Sequence, residues 1–299
     1  MRIGGLLLNI FSKGYEIQKD APKPIEWEEY ENRSKEEFLS LLESFGDDEK
    51  IFQVFLEKNP SYVPGALELF GQSGHYPYMH TLISQPPIGN PFKKVPDFLW
   101  LANSSLTFSP VFIEIEKPSK VMYNKDGTFN AQFSQAIGQI YEWKAILNNA
   151  VNQLSFFDFF NIPQELRQLT FNPQFLLVYG RRYEYQNNEL LSGKRAALRQ
   201  DNIEIMSFDR LRPIRDYYQF TSCKVRNKKY WAEHIPSTFK YRADCAKELI
   251  CLNGFKEKIQ EINYISSARK EFLDARYDYW IDYGKSLRSN GLTISGEGE

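Results

Sequence analysis

Three carboxylates in the stretch from Pro96 to Pro118, PDFLWLANSSLTFSPVFIEIEKP, have the spacing of a metal-dependent phosphodiesterase. Side chains alternate between the two faces of a strand. Glu114 and Glu116 therefore share one face of the run VFIEIE, and Ile113 and Ile115 take the other. If a neighbouring strand starts at Pro96-Asp97, it delivers Asp97 beside them. Mg²⁺ takes oxygen ligands and is usually held by one or two carboxylates together with water and phosphate oxygens. Val111 to Ile115 is apolar enough for a central strand, where carboxylates are costly to bury unless a metal or partner compensates. A Pro-Asp dipeptide alone is commonly a turn, and a Glu-x-Glu pair alone is commonly a solvent face. Their combination points to metal-assisted phosphodiester chemistry.

The elements that must position these residues are legible on either side. Ser34 and Glu37 have capping-box spacing before Phe38, Leu41, Leu42 and Phe45, which predicts a helix from Ser34 ending at Gly46. Asp47 is then expected to cap a second helix, with Ile51, Phe52, Phe55 and Leu56 on one side and Asn59-Pro60 as its stop. Strands are expected over residues 78–84, 97–102 and 111–116, separated by Pro, Gly, Asn and Ser clusters. Phe133, Ile137, Ile140, Tyr141 and Ile146 predict a helix over residues 130–149, and strands follow over 175–179 and 203–208. Such an order gives an α/β fold, a mixed sheet flanked by helices, over residues 47–215. Residues 1–46 form an N-terminal extension of strand (1–11), acidic connector (12–32) and helix. Residues 216–299 read as a C-terminal helical region, helical from Ala243 to Tyr283 with a break near Asn253-Gly254 and a restart at Ser266-Ser267, and with a disordered tail from Ser286.

The 299 residues suffice for one or two domains with real cores. Net charge is −1, so there is no global signal for nucleic acid, but the charges are unevenly placed. Residues 1–60 hold 13 acidic and 8 basic side chains, whereas residues 181–229 hold 12 basic and 6 acidic, a bias that attracts phosphates. Three cysteines without a Cys-x-x-Cys pair fit a reduced compartment, and three histidines offer no zinc spacing. The apolar start lacks the charge and cleavage site of a signal peptide, and no run approaches a membrane span. A cytoplasmic protein with no membrane association is expected.

Several stretches together resemble the PD-(D/E)xK nuclease superfamily and, more narrowly, the Shedu immune nuclease family of bacterial anti-phage defence. They are DEKIFQVFLEKNP, ISQPPI, VPDFLW, the block FIEIEKPSKVMYNKDGTFNAQFSQAIGQIYEW, LLVYGRR and IEIMSFDRL. The resemblance implies a restriction-endonuclease-like sheet and a DNA endonuclease using Mg²⁺, with Mn²⁺ as a substitute. It also implies a homo-oligomer, with a tetramer as the expected form. Asp97 and Glu114 match the metal-binding acids, with the Ile115 carbonyl as a further ligand. Glu116 stands where the superfamily places its lysine, while Lys117 comes one residue late and would face away on a regular strand unless a bulge re-aims it. Lys120 or Lys125 are alternative cations, either for catalysis or for contact with DNA. Gln135 and Gln139 share a helix face, and Gln139 matches the glutamine that orients the acids or the attacking water. Glu49 resembles an additional site acid, although a Glu near a helix N-terminus is also favourable in itself. Arg181 and Arg182 are placed to grip a backbone phosphate, with an ion pair to Asp209 as the competing use. The alternative reading is a nuclease-fold sensor or scaffold that binds DNA without cutting it.

Overall fold

The computed structural model describes residues 14–67, 76–86, 95–290 and 298–299. The strand expected over residues 1–11 lies outside them. Helix α1 (Trp27–Ser44) buries Trp27, Tyr30, Ser34, Phe38 and Leu42, one stripe at helical spacing. It starts well before the expected cap at Ser34, because Trp27 and Tyr30 extend the apolar stripe into what reads as connector. Ser34 is a buried mid-helix residue whose hydroxyl donates to the Glu31 carbonyl at 3.2 Å. Helix α2 (Glu49–Lys58) is capped by Asp48 rather than Asp47, the Asp48 carboxylate accepting from the Lys50 amide at 3.0 Å.

The strands among the described residues are β1 (Tyr76–Pro77), β2 (Thr81–Ser84), β3 (Phe98–Asn103), β4 (Thr107–Ile115), β5 (Thr170–Phe171), β6 (Gln174–Val178), β7 (Ile203–Met206), β8 (Thr221–Arg226), β9 (Lys229–His234) and β10 (Leu252–Asn253). The remaining helices are α3 (Ala131–Leu147), α4 (Ala150–Phe159), α5 (Gln164–Arg167), α6 (Glu189–Ala197), α7 (Ala243–Leu249), α8 (Phe255–Ile259) and α9 (Ser267–Asn290). One sheet takes every strand, in the order β10-β9-β8-β2-β3-β4-β6-β7, with β1 also on β3 and β5 on β4. β3 is antiparallel to both β2 and β4, while β4, β6 and β7 run parallel. The fold is thus α/β, a mixed sheet flanked by helices, as expected.

Strand alternation divides the core in two. Leu99, Phe112, Phe175 and Leu177 meet Ile140 and Trp143 of α3 and Phe156 of α4 on one face, where the Phe112 and Phe175 rings stack with centroids 5.6 Å apart. Phe98, Trp100, Ile113 and Val178 meet Phe38 of α1 and Phe52 and Phe55 of α2 on the other. The Trp100 indole donates to the Val63 carbonyl at 3.2 Å, so its one polar atom is satisfied inside the core.

The region after residue 216 is helical only from α7 onward. It begins with the hairpin β8–β9, turned at Asn227 and Lys228, which both have positive φ (52° and 59°). Cys223, Val225, Tyr230 and Ala232 all join the core on the α3 side, and β8 pairs with β2 inside the sheet. The break near Gly254 and the restart at Ser267 fall where expected. The tail expected to be disordered from Ser286 continues as helix to Asn290, and Glu299 is buried. The Trp280 indole donates to Glu299 Oε1 at 2.7 Å, and Arg276 pairs with the same carboxylate, which gives this charge a reason to be inside. Among the described residues no helix is long and apolar enough to cross a membrane.

Gly180, directly after β6, has φ +59°, and a Cβ there would lie 2.4 Å from the Lys120 carbonyl oxygen. Both left-handed strain and a backbone clash oppose any side chain. Gly180→Ala is expected to destabilise the fold by about 2–4 kcal/mol, read as a lower midpoint in urea with unchanged slope.

Candidate functional site

The β3–β4 pairing sets the site. Its register pairs Phe98 with Ile113, and one further step places Asp97 opposite Glu114. The Ile115 amide donates to Asp97 Oδ2 at 2.8 Å, which fixes the aspartate at the mouth of the strand pair. On the neighbouring side, Gln139 from α3 is buried and its Nε2 donates to Glu114 Oε1 at 2.7 Å. Gln135, expected on the same face, is exposed one turn earlier. The second Glu114 oxygen, Oε2, is buried and has no hydrogen-bond partner.

Such an arrangement is electrostatically expensive. Burial pushes both the Asp97 and the Glu114 carboxyls well above the usual carboxylate range. For Glu114 the nearby Asp97, Glu116 and Glu49 add to the rise and the Gln139 amide opposes it; for Asp97 the Ile115 amide opposes the rise, and Glu49 and Glu116 add to it. Glu49, at the first turn of α2, is also raised, chiefly by partial burial and then by the Glu116 charge. Four carboxylates therefore feel one another at this end of the sheet.

The cations divide unevenly. Lys120 forms an ion pair with Glu116 in which both side chains are largely shielded. Lys117 instead reaches out to the exposed Asp47, at 3.4 Å, the outward direction expected of it on a regular strand. Lys125 is exposed on the loop before α3. The Arg181 Nε donates to Asp209 Oδ1 at 2.8 Å and the Arg182 amide to Asp209 Oδ2 at 2.6 Å, so Arg181 forms the ion pair with Asp209. The Arg182 side chain is exposed.

Gln53 escapes the sequence reading. Its Nε2 donates to the Asp97 carbonyl at 3.3 Å and to the Ser84 hydroxyl at 3.4 Å, tying α2 to β2 and to the backbone of Asp97. The signal that could have found it is a glutamine between Phe52 and Phe55 on the buried side of an amphipathic helix.

The donor set fits a hard divalent cation. Glu114 has a buried oxygen without a hydrogen-bond partner, and the strand register sets Asp97 opposite it with Glu49 and Glu116 close enough to raise its carboxyl. Among the described residues no group of three or more His, Cys, Asp or Glu side chains forms a ready-made metal cage. A cation here would complete its shell with water or phosphate oxygens, as Mg²⁺ usually does.

A family model described as Shedu protein SduA, C-terminal, matches residues 46–212, more than half of the chain. The chain belongs to the Shedu family. The matched Shedu region carries β3, β4, α3 and every acid of the site, and family membership implies a part in anti-phage defence. No curated protein matches the chain by sequence.

The raised carboxyls give a stability signature with a definite sign. Below about pH 4 both folded and unfolded chains hold these protons. As pH rises above that, the unfolded carboxyls ionise freely while Asp97 and Glu114 resist, so the metal-free protein loses stability until the folded groups ionise. Asp97→Asn or Glu114→Gln is expected to raise the metal-free Tm near pH 8 by about 2–4 °C and to flatten its pH slope. Mg²⁺ is expected to raise the wild-type Tm more at pH 8 than at pH 5. Differential scanning fluorimetry across pH, with EDTA or Mg²⁺, reads both.

Proposed function

We propose that the chain is a Mg²⁺-dependent DNA endonuclease of anti-phage defence, built on a restriction-endonuclease-like sheet. The observation that carries this is the orphaned Glu114 oxygen, held beside Asp97 by Gln139. A protein gains nothing in stability by burying two like charges together; a cation between them makes the arrangement useful. DNA as substrate, Mn²⁺ as a substitute and a homo-oligomeric state come with the family resemblance.

Asp97 and Glu114 would hold the ion, with the Ile115 carbonyl as a further ligand and Glu49 at the edge of the site. When bound, it supplies positive charge to the scissile phosphate and acidifies a coordinated water. The protein's own residues do the rest. Gln139 occupies one oxygen of Glu114 and leaves the other directed at the site. Gln53 and the Ile115 amide hold Asp97 from its backbone and carboxylate sides. Glu116, in the place of the expected lysine, is the group positioned to take the proton of the attacking water, and Lys120 orients it through their ion pair.

A DNA-binding sensor without cleavage is the second reading, favoured by one observation: Lys117 and Lys120 are both committed to carboxylates. Plasmid nicking separates the two. Wild-type protein is expected to nick supercoiled DNA with Mg²⁺ or Mn²⁺ and to stop when EDTA is added. Glu114→Ala should reduce nicking to background without lowering Tm, and Gln139→Ala should reduce it by about 10–100-fold, partly restored by higher Mg²⁺. Unchanged nicking by Glu114→Ala would overturn the assignment, and retention of labelled duplex with no cleavage under any divalent ion would favour the sensor.

A further inference from the structure

Beside the edge strand β7 lies an open cleft of about 760 Å³, walled by α1, the turn after α2 and the segments that follow β6 and β7. Six cationic side chains line it, among them Arg182, Arg199, Arg210 and Arg212, against three acidic ones. In a chain of net charge −1 this is a local excess. The acids are too few to neutralise it. Glu204 alone serves both Arg210, at 2.7 Å, and Arg199, at 3.8 Å, and Asp209 is occupied by Arg181 and the Arg182 amide. Among the described residues the Arg182 and Arg212 guanidiniums have no ion-pair or hydrogen-bond partner, and both are exposed. Small-molecule pockets are concave and mostly apolar. This cleft is open and ionic, and arginine forks match phosphate oxygens two at a time.

Its position relates it to the carboxylates. β4, β6 and β7 are adjacent and parallel, so Glu114, Arg182 and Arg210 all stand at the same end of the sheet. With strands about 4.8 Å apart, the end of β7 lies about 10 Å across the sheet from Glu114, roughly three nucleotides at about 3.4 Å of rise per strand. Glu114 faces α3 and the cleft opens on the α1 side, so a ligand touching both must cross the strand ends.

We propose that this cleft grips the sugar-phosphate backbone of duplex DNA flanking the scissile bond, independently of sequence. The proposal rests on the nuclease reading for its ligand, but it is tested without cleavage. Arg182→Ala/Arg212→Ala removes the two guanidiniums that leave no carboxylate unpaired. Binding of a fluorescein-labelled duplex is measured by anisotropy in EDTA over a salt series. The slope of log K against log salt is expected to fall by about 1.8, at about 0.9 for each phosphate the variant no longer neutralises, equally for duplexes of unrelated sequence. Lys256→Ala/Lys285→Ala, which removes the same charge from α8 and α9, is expected to leave the slope unchanged.

An unchanged slope in the arginine variant, an equal fall in the lysine control, or a wild type that binds no duplex each overturns the proposal; the last would leave the cleft to an acidic protein. The two readings fail separately. If the slope is unmoved while Glu114→Ala still abolishes nicking, the cleft assignment is wrong and the nuclease stands. If the slope falls but no divalent ion supports nicking, the cleft stands without the nuclease.

Discussion

Two carboxyls are buried side by side at the end of one strand pair, and this burial, the chief reason both resist ionising, is the constraint the surrounding partners work against. The antiparallel register of β3 and β4 brings Asp97 opposite Glu114, and no later adjustment can separate them without slipping every side chain of those strands to the wrong face. What the fold can do is supply opposing partners. The Ile115 amide, the Gln139 amide and the Lys120 ammonium each approach one acid of the group. Each comes from a different part of the chain: the strand itself, the helix that follows, and the turn between them. Among the described residues, the buried Glu114 Oε2 is left without a hydrogen-bond partner.

The register is defended by packing on both faces. Phe112 and Phe175 stack beneath α3 on one side, while Trp100 with its bonded indole anchors the other. These contacts lie a few residues from Asp97 and Glu114, so a rigid apolar core ends abruptly in a polar rim. The turn at Gly180 brings the chain after β6 against the Lys120 carbonyl. It thereby ties the lysine that reaches Glu116 to the same sheet that presents the glutamate.

Much of this is legible in the sequence because it is local and periodic. Glu114 on an apolar run, the 3.6-residue pattern of α3 and the Pro-Asp at the start of β3 each carry their meaning within a few residues, whereas helix phase sets Gln135 and Gln139 on one face and only the family resemblance singles out Gln139. What escapes depends on distance along the chain. Asp47 and Asp48 are equivalent as written, and only the position of Ser119 and Lys117 draws Asp47 outward and leaves Asp48 as the cap. The early start of α1 follows from Tyr30, whose hydroxyl bonds Asn59 and Ser61 in a later segment. The β8–β9 hairpin is hidden because its turn is Asn-Lys rather than Asn-Gly, and because charged residues on its outer face mask the alternation of Cys223 and Val225 with Tyr230 and Ala232. Whether Lys117 or Lys120 approaches Glu116 cannot be read from spacing alone, since the turn after β4 decides it.

The placement of β8 has a consequence for anyone who would shorten this protein. The Shedu match ends at residue 212, and a boundary drawn there looks natural on a linear map. In three dimensions it severs one sheet, since β8 lies hydrogen-bonded against β2, which in turn pairs with β3. A fragment ending at residue 212 would bare the long side of β2 to solvent, an open edge of the kind that recruits foreign strands. It would do so one strand away from Asp97, whose backbone carbonyl accepts the Gln85 amide just past the end of β2. The smallest unit that keeps the acids aligned therefore runs through the hairpin, and the stretch most tempting to discard is the one that seals the sheet.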